Sequence, residues 1–124
     1  MTSDLFDVHI GVDIIEVVRI RATLRRFGDR FLRKHFTPQE IATCRAKPRP
    51  SESLAARFAA KEAFAKAYPG TEPLSWQDVE IVMERGAPAC RLRGAASGYE
   101  AKLSLSHTHS HAVAVVILKP KEES

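Results

Sequence analysis

Apolar residues recur along this chain with two different periods, and the change of period marks its elements. Val8, Ile10, Val12 and Ile14 alternate with His9, Gly11 and Asp13, which predicts a strand over Val8–Ile15 with one buried face. Gly11 inside it marks a bulge or a close approach by another group. Beyond the strand, Ile20, Leu24 and Phe27 stand at i, i+4 and i+7, the core stripe of a helix closed by Gly28-Asp29. Thr37-Pro38-Gln39-Glu40 combines an N-cap, a proline at the first helical position and an acid three after the cap, so a helix is expected from Pro38 to Ala46. KPRPSE, residues 47–52, reads as a loop.

The stretch SLAARFAAKEAFAKAY, Ser53 to Tyr68, holds seven alanines, and alanine has the strongest helix preference. The helix is apolar or alanine nearly all round, which predicts burial. Pro69-Gly70 ends it, and a connection carrying the single tryptophan, Trp76, follows. Val79, Ile81 and Met83 then alternate with Glu80 and Glu84, a turn falls at Gly86-Ala87-Pro88, and Ala89–Arg93 returns. Gly94–Lys102 suggests a short helix. Leu103–His107 and Ala112–Leu118 make a last hairpin. Strands and helices interleave without regular βαβ spacing, so the expected class is α+β, an antiparallel sheet packed around the central helix.

Four charges interrupt that helix. Arg57 and Lys61 stand one turn apart, and Glu62 stands one turn before Lys66. Buried charge is costly without compensation. One reading pairs Glu62 with Lys66 along the helix and lets Arg57 and Lys61 reach water on their long stems. The other is a polyanion site, with cations for phosphates and a carboxylate for a metal. Asp13 has two readings of its own: a site acid at the strand end, or the N-cap of the following helix in a capping box with Glu16.

Composition narrows the class. The chain has 124 residues, 44% hydrophobic and 27% charged, which fits one domain over residues 1–124 with a sizeable core. A net charge of +4 favours acidic or phosphate-bearing partners but is too mild to argue for nucleic acid. No aromatic platform or basic loop of the nucleic-acid type is present. No apolar run reaches the roughly 18 residues of a membrane span. Cys44 and Cys90 form no metal or redox spacing and no secretory signal is read before them, so a reduced cytoplasmic setting is expected. Loose ends are expected at Met1–Ser3 and Lys119–Ser124. The run His107-Thr108-His109-Ser110-His111 has the types for zinc, but a turn must fall there and scatter the rings.

Three patches together resemble the short bacterial 4′-phosphopantetheinyl transferases, the holo-acyl-carrier-protein synthases: IGVDIIEVVRI (Ile10–Ile20), RFAAKEAFAKA (Arg57–Ala67) and SLSHTHSHAVAVVI (Ser104–Ile117). The resemblance implies a 4′-phosphopantetheinyl transferase-like α+β fold and a homotrimer with sites at subunit interfaces. It implies transfer of phosphopantetheine from coenzyme A to a serine of an acyl carrier protein, in fatty acid biosynthesis, with Mg²⁺ as cofactor. By the same resemblance Asp13 and Glu62 hold the metal. Arg57, Lys61, Lys66 and the Ser106-His107-Thr108 turn line the coenzyme A site, and Arg19 lies on the surface that meets the carrier protein. Arg26 shares Arg19's helical flank and is added to that surface. Mg²⁺ takes few protein carboxylates and completes its shell with water and phosphate oxygens, so two acids are the expected number. Glu62, a metal-bound water and His107 stay open as the base for the serine hydroxyl. The rival reading is a small basic, non-catalytic module for an acidic partner or nucleic acid.

Overall fold

A computed structural model describes residues 7–122 of the chain. Strand β1 (His9–Glu16) leads into helices α1 (Val17–Phe27), α2 (Asp29–His35), α3 (Pro38–Arg45) and α4 (Pro50–Ala67). Strands β2 (Val79–Glu84), β3 (Ala87–Leu92), β4 (Tyr99–His107) and β5 (His111–Pro120) complete it. The antiparallel sheet has the order β1-β5-β4, and β2-β3 is a separate hairpin. The class is α+β, with α4 at its centre.

α4 is central because its side chains are small. Ala55, Ala59, Ala60 and Ala63 are fully buried, and the helix lies directly on the sheet. A Cβ built on Gly11 would lie 1.9 Å from the carbonyl oxygen of Ala63, so β1 and α4 meet backbone to backbone at that point. The close approach is therefore real, and the β1–β5 register runs through Gly11 without a bulge. Phe64, Val79, Ile81, Val116 and Leu118 pack around one half of α4; Val17, Ile20, Phe31, Phe36 and Leu54 pack around the other.

Several sequence expectations are corrected. The packed face of β1 is the Gly11 and Asp13 face; Ile10, Val12 and Ile14 point outward and are 67%, 53% and 66% exposed. Alternation identifies two faces but not which of them meets the helix. The α1 stripe is Val17, Ile20 and Leu24, while Phe27 is exposed. Asp13 is within the strand, and the N-cap of α1 is Glu16, which makes no side-chain cap bond. Residues 29–35 form α2, which no periodic signal announces. α3 has the expected capping box between Thr37 and Glu40. α4 starts at Pro50, inside the expected loop. The β2–β3 turn falls at Arg85-Gly86, both with positive φ, the conformation that two-residue hairpin turns require. The expected helix at 94–102 is only a 3₁₀ turn over Gly94–Ala96, after which β4 begins. Lys119 and Pro120 belong to β5, whereas Met1–Ser3, Glu123 and Ser124 lie outside the described residues.

Candidate active site

Two clusters of functional side chains form around α4. The first joins β1 to the exposed flank of α4. Asp13 follows Gly11 on the packed face of β1, so the backbone contact at Gly11 carries its carboxylate towards α4. Lys66 Nζ donates to Asp13 Oδ1 at 3.0 Å and to the Val12 carbonyl at 3.0 Å. The helical pairing of Glu62 with Lys66 is thereby replaced: Lys66 bonds Asp13, and Glu62 has no hydrogen-bond or ion-pair partner among the described residues. Burial, and after it the nearby Asp13 carboxylate, push the Glu62 carboxyl above its ordinary value, against the opposing pull of Lys66. A carboxyl held up in this way by burial and a neighbouring carboxylate is what a divalent cation relieves, and both acids are hard oxygen donors of the kind Mg²⁺ takes. No group of three or more potential ligands occurs among the described residues.

The second cluster lines a cleft of about 490 Å³ at the start of α4. Its walls include Lys47, Arg49, Glu52, Arg57 and His107. Arg57 is 5% exposed, and its Nε has no hydrogen-bond partner. A buried N–H without an acceptor is costly, so this guanidinium is built to receive one. Arg57 and Glu62 are five residues apart on α4, about 7.5 Å along the axis and about 140° around it. The two clusters therefore occupy different sides of one helix.

Lys61 joins neither. Its Nζ is 2.8 Å from Glu40 Oε1 and donates to the carbonyls of Trp76 and Val79 at 2.9 and 2.8 Å. An ammonium has three hydrogens, and here three acceptors take them. In the structure Lys61 is therefore a buried cation with all three hydrogens committed to protein acceptors, although it also borders a small hollow beside Glu62. Glu40 also accepts from the Thr37 and Ile81 N–H groups, and Glu80 accepts from Thr37 Oγ1 and Arg93. Burial lowers the Lys61 ammonium below the usual lysine range, and Glu40 opposes this only in part.

Of the final turn, His107 alone reaches the cleft wall. Ser106, paired with Val113, is on the opposite face of the sheet, because successive strand residues alternate. Thr108 closes the turn: its Oγ1 accepts from the Ser110 and His111 N–H groups. The three histidines do not converge on one point, but two of them, His107 and His109, meet the carboxylate of Glu52. Arg19 and Arg26 are both exposed on α1, and Arg26 lies over the Phe27 ring.

Sequence reasoning passed over Glu52, Lys47 and Arg49 because they fell in the expected loop. The available signal was Pro50-Ser51-Glu52, a proline followed two residues later by an acid, which is a helix start rather than a linker. No helix among the described residues is long and apolar enough to cross a membrane. Cys44 and Cys90 are free, and burial pushes the Cys90 thiol up to about 12.

Comparison with known proteins gives this geometry its family. The model of the 4′-phosphopantetheinyl transferase superfamily matches residues 9–116. The holo-[acyl-carrier-protein] synthase of Chloroherpeton thalassium is 48% identical over 120 residues, covering 91% of this chain and 98% of the relative. That of Thermus thermophilus is 46% identical over 120 residues, covering 92% and 94%. Among solved structures, the Helicobacter pylori holo-[acyl-carrier-protein] synthase in complex with coenzyme A is similar with a TM-score of 0.78 and 33% identity, over 89% of this chain and 99% of that one. The Chronobacterium ammoniagenes ACPS–CoA complex also gives 0.78, with 28% identity over 93% and 98%. With a family model matched across almost all of β1 to β5 and relatives near half identical over more than nine tenths of their length, the chain belongs to the 4′-phosphopantetheinyl transferase superfamily.

Proposed function

We propose that this chain is a holo-acyl-carrier-protein synthase, moving 4′-phosphopantetheine from coenzyme A to a serine of an apo acyl carrier protein. The observation that carries the reading is the buried Arg57, which lines a cleft rimmed by Lys47 and Arg49 and whose Nε has no hydrogen-bond partner. In the reaction the serine oxygen forms a new bond to the phosphorus that carries pantetheine. The bond from that phosphorus to the bridging oxygen breaks, adenosine 3′,5′-bisphosphate leaves, and the serine proton passes to a base. Transfer of this type depends on positioning and charge neutralisation more than on covalent help.

Asp13 and Glu62 are the residues that would hold Mg²⁺, and the ion would supply neutralisation of the pyrophosphate charge. Lys66 orients Asp13. Arg57, with Lys47 and Arg49, binds phosphate, and Glu62 and His107 are the groups able to take the serine proton. The reading extends to a homotrimer with shared sites. Its support is the outward apolar face of β1, continued on β5 by Val115 and Ile117, which pair with Val12 and Ile10. Such a patch on one face of a sheet calls for a partner, and the separation of the two clusters around α4 suits a site completed by a neighbouring copy. Arg19 and Arg26 on α1 form the docking surface for the acidic carrier protein. The acting compartment is the cytoplasm, in keeping with two free thiols.

The test is mass spectrometry of an apo carrier protein incubated with the chain, coenzyme A and Mg²⁺. The expected gain is one phosphopantetheine, lost on chelation and lost in Glu62→Ala. Near-normal turnover by Glu62→Ala would sink the metal assignment. Light scattering that finds an active monomer at micromolar concentration would rule out the shared site.

A further inference from the structure

Glu52 stands in the first turn of α4 with its side chain 8% exposed, and three groups converge on its carboxylate. His109 Nδ1 is 2.9 Å from Oε2, His107 Nδ1 is 3.2 Å from Oε1, and Arg49 Nε is 3.7 Å from Oε2. An ionised carboxylate only accepts, so both imidazoles present Nδ1–H to it. The His109 hydrogen bond, foremost, holds the Glu52 carboxyl below the usual carboxylate range, which keeps it ionised at neutral pH. His107 is then left with Nε2 as its uncommitted ring atom, and its side chain lines the same cleft as Arg57. On its other side Glu52 borders a second hollow with Arg21 and His109. The other charged or titratable groups around the cluster are Lys47 and Arg57 from the cleft, Arg21 from α1, and His111, whose Nδ1 is engaged by Ser110 Oγ.

Resting on the transferase reading, we infer that Glu52 and His109 are positioning residues for His107. Glu52 fixes His107 in the tautomer with hydrogen on Nδ1, so that Nε2 is the atom offered to coenzyme A and the incoming serine. His109 braces the same carboxylate from its other oxygen. Which nitrogen of a histidine carries the proton is decided by the hydrogen bond the other makes. Partners of this outer kind change activity by about 10- to 100-fold when removed. His109 is largely exposed, so its role is separable from folding.

The experiment reads the ring nitrogens directly, by nuclear magnetic resonance of ¹⁵N-histidine-labelled chain at about pH 8, above the ordinary histidine range. The wild-type His107 should give a protonated Nδ1 and a bare Nε2. In Glu52→Gln the two tautomers should mix, and kcat should fall about 10- to 100-fold with a smaller change in KM for coenzyme A. His109→Ala should mix them in part and slow turnover several-fold. His109→Asn, whose amide nitrogen stands where Nδ1 stood, should restore both. A wild-type His107 with its hydrogen on Nε2 overturns the inference, as does a Glu52→Gln or His109→Ala chain whose ring signals and kcat match wild type. Absence of transfer by the unaltered chain would instead refute the function, and the ring signals are read whether or not transfer occurs.

Discussion

Lys61 sits in the motif beside Glu62, and its role separates cleanly by experiment. Its ammonium is 2.8 Å from Glu40 Oε1, with the two side chains 1% and 0% exposed. Lys61→Met keeps the length of the stem but leaves the Glu40 carboxylate buried without a counter-ion and strips a donor from the Trp76 and Val79 carbonyls. Breaking a buried pair from one side costs about 3–5 kcal/mol. Glu40 retains the Thr37 and Ile81 N–H groups at 2.9 and 2.8 Å, which puts the expected loss near the lower end, about 3 kcal/mol. For a chain of this length that is a fall of roughly 10–15 °C in Tm. The double variant Lys61→Met/Glu40→Gln removes both charges and should recover about half of the loss, a coupling that a double-mutant cycle reads. The assay is urea denaturation of all four chains followed by circular dichroism, with KM for coenzyme A measured in parallel and expected to stay within about twofold of wild type. A Lys61→Met chain within about 1 kcal/mol of wild type but with KM for coenzyme A raised about tenfold or more would refute the reasoning, since that is how a phosphate ligand behaves.

Glu62→Gln should abolish turnover yet raise Tm in metal-free buffer at about pH 7 and leave it unchanged at about pH 4. The folded carboxyl has a raised pKa, so the native state holds its proton longer and stability falls as pH rises through that window; thermal melts with equal Tm for variant and parent at both pH values would contradict this. Arg19→Glu should raise KM for carrier protein several-fold at low salt, with the effect shrinking as salt screens it and coenzyme A untouched. Steady-state titrations in each substrate decide it, and an unchanged KM for carrier protein at low salt moves the docking surface elsewhere. Ile14→Asp, on the outward face of β1, should lower the mass found by light scattering at micromolar concentration and cut activity with it; an unchanged mass would argue against that face as the seam.

The class of fold and the central position of α4 are legible because alanine runs and alternating strands carry their physics locally. Asp13, Glu62 and Lys66 are legible as charges out of place, but their pairing is not: helical spacing favours Glu62 with Lys66, and only the Gly11 contact brings Asp13 within reach. The inward turn of Lys61 is hidden for a similar reason. Its partner Glu40 is fully accounted for by the capping box, and nothing local says that a capping acid also faces a second helix. The pattern points the face of β1 the wrong way round because strand alternation weighs side-chain hydrophobicity, whereas this helix packs through the absence of side chains. His109 is legible only as one of several histidines; its carboxylate lies 57 residues away, beyond any sequence window.

The touching of Gly11 and Ala63 has a mechanical consequence. A contact between side chains absorbs movement by changing rotamer, but two main chains in direct contact have no such slack. Asp13 lies two residues beyond that contact and Glu62 lies beside it on the helix, so the gap between the carboxylates is set almost at the point where strand and helix bear on each other. Repacking elsewhere in the core, even around Phe64 or Val116, can be taken up by compliant side chains before it reaches the acids. Sliding α4 along β1 cannot be absorbed in that way, and would be felt by both carboxylates at once. The absent side chain of one glycine thus acts as the datum from which the spacing of the two acids is measured.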